Sequence, residues 1–184
     1  RIKKEFITKT LKLSKKLVVI DEVNFELIEN KQRSSMQMIA EHKNLIVMRS
    51  LSKVYGLAGI RFGFTISSEQ ICSLLEKTRS RHHVATIVRD IAQIAISDQH
   101  HVKNVANLIN IEIKKFKKDL RMLRSIRSIT DTNTNIFILE KIGSDLFMEL
   151  TKKGIITTDL RGSDGIGNKS LIRISLKDRQ SNKK

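Results

Sequence analysis

Two short apolar runs that end abruptly in charge do most to limit how this chain can fold. Leu17-Val18-Val19-Ile20 gives way to Asp21-Glu22, and Leu45-Ile46-Val47-Met48 gives way to Arg49. A continuous apolar run this short suits a buried strand of a parallel sheet. The carboxyl edge of such a sheet is where α/β proteins gather their ligands. The first run therefore predicts a strand presenting acids at that edge, and the second predicts a parallel neighbour. The polar stretch around Asn30 to Ser35 leads into a short helix between them.

The second run hands over to Ser50-Leu51-Ser52-Lys53-Val54-Tyr55-Gly56-Leu57-Ala58-Gly59-Ile60-Arg61. Small and polar residues stand here where a strand would ordinarily lead into a helix, which makes the tract a candidate ligand loop. Phe62-Gly63-Phe64-Thr65-Ile66 predicts a third strand, and Ser68 is placed to cap a helix over residues 69 to 78. Upstream, Ile2, Phe6, Ile7, Leu11 and Leu13 recur at roughly helical spacing between lysines. From Thr86 onward helical spacing returns through Ile87, Ile91 and Ile94. After a break near Ser97 to His101 it continues through Val102, Leu108, Phe116 and Leu120, so long helices are expected. The segments at Asn135–Leu139 and Leu171–Ser175 predict strands flanking a helix near Asp145 to Lys153, closed by Gly154. The chain reads as α/β, with residues 1–85 in one domain and residues 86–184 in a smaller α+β domain that begins with the long helices.

Composition narrows the function classes. Lys and Arg total 35 against 19 Asp and Glu, a formal charge of +16 that attracts polyanions, anionic lipid or phosphorylated small molecules. Lys114, Lys115, Lys117, Lys118, Arg121, Arg124 and Arg127 form a basic helix, best read as a solvated face. With 4% aromatics there is no stacking platform for single-stranded nucleic acid. The pairs His82-His83 and His100-His101 point to different helix faces without a carboxylate or cysteine cluster beside them, so no metal site is expected. The single Cys72 excludes an internal disulfide and fits a reducing, cytoplasmic setting. No stretch approaches the roughly 18 apolar residues of a membrane span. Because the text opens with Arg1 inside a helical pattern, a fragment or processed product is expected.

The tract from Ser50 to Gly63, preceded by a strand and by Ile20-Asp21-Glu22, resembles the class I/II, fold-type-I aminotransferases that depend on pyridoxal phosphate. Within them it is similar to the histidinol-phosphate aminotransferase branch. The family pattern is a strand ending in Asp-Glu-Ala-Tyr, then about thirty residues on Ser/Thr-x-Ser-Lys, an aromatic, Gly-Leu-Ala-Gly, an apolar residue, Arg and Gly. The resemblance extends through the later strands and covers essentially the whole chain, as the C-terminal portion of such an enzyme. It implies part of a mostly parallel large-domain sheet plus a C-terminal α+β small domain.

The resemblance also implies roles. Lys53 would bond the cofactor aldehyde and afterwards move the substrate's α-proton, tasks that need an amine able to be neutral. Asp21 would keep the pyridine nitrogen protonated. Ser50, Ser52 and Arg61 would hold the cofactor phosphate, for which hydroxyls and a guanidinium are suited. Arg173 in Ile-Arg-Ile-Ser would fork the substrate's α-carboxylate. An amino donor and a keto acceptor would be the substrates, and a homodimer the assembly.

Two positions depart from the pattern. The family's tyrosine is Asn24, which donates to the cofactor ring oxygen only through a shorter amide. The Gly-Ile-Ile-x-Arg pattern reads Gly154-Ile155-Ile156-Thr157-Thr158, leaving Arg161 as the substitute for the missing cation if its loop bends suitably. Alternatives are a pyridoxal-phosphate-dependent decarboxylase of a phosphorylated amino acid and a non-catalytic basic binding module.

Overall fold

The computed structural model describes residues 2–28, 34–80, 83–128, 132, 134–167, 170–177, 179–180 and 182. Asn30 and His82 lie outside them. The chain forms two compact units, Arg1–Ala106 and Asn107–Lys184, divided within one long helix.

In the first unit, helix α1 (Lys4–Leu13) precedes strand β1 (Val18–Asp21), strand β2 (Leu45–Ser50) and strand β3 (Gly63–Ser67). Strands β1 and β2 pair in parallel, with Val18 opposite Leu45 and Asp21 opposite Met48. Strand β3 runs antiparallel to β2, with Ser50 opposite Gly63. Alternation along the strands assigns the faces. Leu45 and Val47, with Val18 and Ile20 beside them, pack on Leu11 and Ile7 of α1 and on Met38 and Ile39. The other face is open at Val19 and Met48, which are 54% and 39% exposed. The expectation of buried strands thus holds for one face of β1. An apolar run reads the same whether one face is covered or two, so the sequence pattern alone does not separate these cases.

Local chemistry fixes the connections. The Asn44 side chain reaches the carbonyls of Leu11, Ser14 and Lys16 at 3.1 to 3.3 Å, tying the end of α1 to the start of β2. The short helix after the polar stretch is a 3-10 turn, Ser35–Met38, with Ser34 accepting from the Met36 N–H at its start. Helix α2 (Glu69–Thr78) begins after Ser68 as expected, but the Ser68 hydroxyl donates to the Lys43 carbonyl instead of capping the helix. Helices α3 (Thr86–Ser97) and α4 (Gln99–Met122) are separated at Asp98, whose carboxylate accepts from the His101 N–H at 2.9 Å. That N-cap chemistry explains the break in helical spacing.

The second unit holds strands β4 (Ile126–Ser128), β5 (Ile136–Lys141), β6 (Thr158–Asp159) and β7 (Leu171–Ser175) in the order β4-β5-β7-β6, all antiparallel. Its core joins Ile113 and Leu120 of α4 to Phe137, Leu139, Leu146, Ile172 and Leu176. Phe116 meets Phe137 edge to face at 4.9 Å. Helix α5 (Leu146–Lys152) starts at Asp145, which accepts from the Met148 N–H. It ends at Gly154 with φ 73°, where the Gly154 and Ile155 N–H groups bond the Thr151 and Leu150 carbonyls. This is the doubled C-terminal hydrogen-bond pattern that a left-handed glycine permits. Among the described residues no helix is long and apolar enough to cross a membrane.

Candidate cofactor site

Six of the seven residues singled out from the sequence sit on the first unit, at or just beyond the carboxyl ends of β1 and β2. Asp21 closes β1, and its carboxylate accepts from the Val23 N–H at 2.9 Å. Asn24 follows in the same turn, with its amide oxygen buried and without a partner. Ser50 closes β2, and its hydroxyl oxygen accepts from the Ser52 N–H at 3.1 Å. By register and alternation Asp21, Met48, Ser50, Gly63 and Val19 share one sheet face, the open one. Asp21 and Ser50 are therefore displayed on the same side of neighbouring strands.

The loop that follows is anchored by two buried side chains, Leu51 and Val54, which leave Lys53 exposed close to the anchor. The Gly56 N–H donates to the Lys53 carbonyl at 2.9 Å, and Gly56 takes φ 72°, a conformation open to glycine at no steric cost. The Leu57 N–H returns to the Leu51 carbonyl at 3.0 Å, closing the loop. Arg61 has φ 53°, the only positive φ at a non-glycine position among the described residues. Its exposed guanidinium makes one long contact, 3.4 Å to the Ala58 carbonyl. A Cβ at Gly63 would stand 3.0 Å from the Arg49 carbonyl oxygen, so a side chain there would push on the β2 backbone where the chain re-enters the sheet. Tyr55, half-buried beside this loop, has its hydroxyl pKa pushed up by burial and by Glu26, against the opposing influence of Arg49 and of a hydrogen bond with Gln99.

The seventh residue, Arg173, belongs to the second unit. It lies exposed on β7 opposite Thr158 of β6, with Nη2 3.4 Å from the threonine hydroxyl. Arg161, the substitute expected for the missing cation, is paired with two acids of its own unit. Its guanidinium binds Asp159 through Nε and Nη2 and Asp145 through Nη1 at 2.7 Å.

Sequence reasoning missed a polar cluster behind the site. Arg49 binds Glu22 at 3.0 Å and Glu26 at 2.8 Å, with the three side chains only 10% to 11% exposed. It also donates to the Ser34 hydroxyl at 3.0 Å and lies 4.0 Å from the centre of the Phe25 ring. Glu22 accepts in turn from the Ser34 hydroxyl at 2.8 Å and from the Ser35 N–H at 2.7 Å. The signal was present in the alternation. Arg49 continues the inward series Leu45, Val47, and Glu22 continues the inward series Val18, Ile20, so a charge pair at that end was readable.

The mixed α/β architecture is that of the pyridoxal-phosphate transferases of fold type I, and the chain belongs to the aminotransferase class I and II family, whose family model matches residues 2–184. Relatives at about 30% identity are histidinol-phosphate aminotransferases. The protein of that name from Brevibacillus brevis is 31% identical over 169 residues, covering 91% of this chain and 46% of the relative. The crystal structure of the histidinol-phosphate aminotransferase from Clostridium acetobutylicum superposes with a TM-score of 0.90 at 23% identity, covering 99% of this chain and 56% of that one. The enzyme of the same name from Sinorhizobium meliloti, solved in complex with pyridoxal-5'-phosphate, matches with a TM-score of 0.71 at 24% identity over 86% of this chain and 44% of its own. The chain spans about half the length of the curated relatives it matches.

Proposed function

We propose that this chain supplies the lysine, the ring-facing acid and the phosphate contacts of a pyridoxal-phosphate-dependent aminotransferase that moves an amino group from an amino donor to a keto acceptor. A phosphorylated amine of the histidinol phosphate kind is the first substrate to test, as the names of the relatives suggest. The observation that carries the reading is the common open face of Asp21 and Ser50, with Lys53 in the loop that directly continues β2.

The residues present fit the cofactor. Val19 and Met48 leave apolar surface beside Asp21 on the open face, and the Arg61 guanidinium is exposed. Bound pyridoxal phosphate would supply a conjugated ring that withdraws electrons from the substrate's α-carbon. The Asp21 carboxylate would hold a proton on the ring nitrogen, and the Asn24 amide N–H would donate to the ring oxygen. Ser50, Ser52 and Arg61 would hold the phosphate. The Lys53 amine would take and return the substrate's α-proton, and Arg173 would orient the substrate through its carboxylate. Residues 1–85 form part of the cofactor-binding domain in this reading, and residues 86–184 form the small domain. A cytoplasmic homodimer is the expected form, with light scattering the check on assembly.

Borohydride reduction in the presence of pyridoxal phosphate, followed by peptide mass analysis, tests the assignment. For the complete polypeptide the expected result is a single adduct on Lys53 that is lost in Lys53→Ala together with amino transfer, whereas these 184 residues alone are expected to bind the cofactor poorly and to be inactive. An adduct of equal yield in Lys53→Ala rejects the reading.

A further inference from the structure

The cluster around Arg49 lies directly behind the two candidate cofactor contacts, and no step of the proposed chemistry uses it. Asp21 and Glu22 are consecutive, as are Arg49 and Ser50, so alternation sends Asp21 and Ser50 to the open face while Glu22 and Arg49 point the other way. The last rung between the strands is the Glu22 N–H to the Met48 carbonyl at 3.0 Å. Beyond it the chain leaves β1 while β2 continues to Ser50 against β3, and among the described residues no further main-chain bond joins the two ends. One guanidinium does so instead, binding Glu22 from β1's end and, through Glu26 and Ser34, the segments that follow it.

We propose that Arg49 is a positioning residue for the cofactor site, stapling the ends of β1 and β2 from behind so that Asp21 and Ser50 keep a fixed spacing on the opposite face. The inference rests on the function proposed above. Two nearly buried carboxylates share one cation, so removing Arg49 leaves like charges without a counter-ion and opens the strand end rather than merely deleting a bond. A lysine does not replace it. The guanidinium fork serves Glu22, Glu26 and Ser34 at once while its flat face lies over Phe25, and an ammonium has neither the fork nor the plane.

The test compares wild type, Arg49→Met, Arg49→Lys and the charge-neutral triple variant Glu22→Gln/Glu26→Gln/Arg49→Met, with thermal melting to verify folding. In the absence of cofactor, amide exchange at Glu22 and Ser35 in Arg49→Met rises by about tenfold or more, as expected for loss of charge-assisted bonds. Exchange at Ile46 and Val47, in the middle of β2, stays as in wild type. Titration with pyridoxal phosphate then gives a dissociation constant raised by about tenfold or more in Arg49→Met and by less in Arg49→Lys. The triple variant separates positioning from stability. Its melting temperature returns toward wild type because no unpaired charge remains, while its cofactor affinity stays low. Wild-type exchange at Glu22 in Arg49→Met, or wild-type affinity in the triple variant, overturns the proposal. If wild type itself forms no adduct on Lys53, the underlying functional reading fails and the proposal with it.

Discussion

Arg173 and Thr158 stand directly opposite each other on β7 and β6, and the arginine's Nη2 lies 3.4 Å from the threonine hydroxyl. The small sheet thus offers a guanidinium beside a neutral donor at the position where the resemblance places two cations. Thr158→Arg is expected to raise the kcat/KM ratio for a phosphorylated over an unphosphorylated amino donor by about tenfold, the equivalent of one charge-assisted hydrogen bond. An unchanged ratio would show that position 158 does not face the substrate.

Arg161 is already occupied, and its partners give the second unit a dependence on acid. Asp159 is held below the usual carboxylate range by hydrogen bonds from Arg161. Asp145 is lowered first by the Met148 N–H, and Glu149 by Lys141. Each folded-state pKa lies below its unfolded value, so the stabilisation is present above about pH 4 and is lost as pH falls through the depressed values. Urea midpoints measured from pH 6 downward should decline on that acid limb, less steeply in Asp159→Asn and less steeply in high salt, since the groups are exposed.

Gly63 is expected to tolerate no side chain. Its added Cβ would meet the Arg49 carbonyl oxygen at 3.0 Å, an atom of the β2 backbone that cannot swing away. Gly63→Ala should cost about 1–3 kcal/mol in denaturant unfolding, as overpacking does. Gly59, with nothing within 4 Å of its Cβ position, is the control, and Gly59→Ala should leave the midpoint close to wild type.

In the second unit Phe137 is fully buried at the centre of its core and meets Phe116 edge to face. Phe137→Ala should destabilise by about 3–5 kcal/mol in a two-state fit of that unit's unfolding. A loss below about 1 kcal/mol would mean that this core is not packed as described.

The large elements were legible in the sequence because each carries a period long enough to register. The apolar runs before Asp21 and Arg49 marked β1 and β2, the loss of helical spacing near Ser97 to His101 marked the break between α3 and α4, and Gly154 marked the end of α5. What escaped was short or ambiguous. Strands β4 and β6 span too few residues for alternation to emerge, and their pairing with β5 and β7 is decided by tertiary contacts. Ser68 was correctly placed before α2, yet its hydroxyl serves the Lys43 carbonyl, a choice that depends on a residue distant in sequence. The Arg49 cluster escaped because charged residues were read as edge ligands, although their place in the inward series pointed behind the sheet.

The position of β1 as the outermost strand among the described residues leaves a row of main-chain donors and acceptors along its far side. Lys15 and Lys16 guard the entry to that strand, and a charge of +16 opposes non-specific association in dilute buffer. Added electrolyte shortens the reach of that repulsion from about 10 Å at 0.1 M to about 3 Å at 1 M. Association along that strand beyond the expected homodimer should therefore grow as ionic strength rises, and light scattering across a salt series checks it.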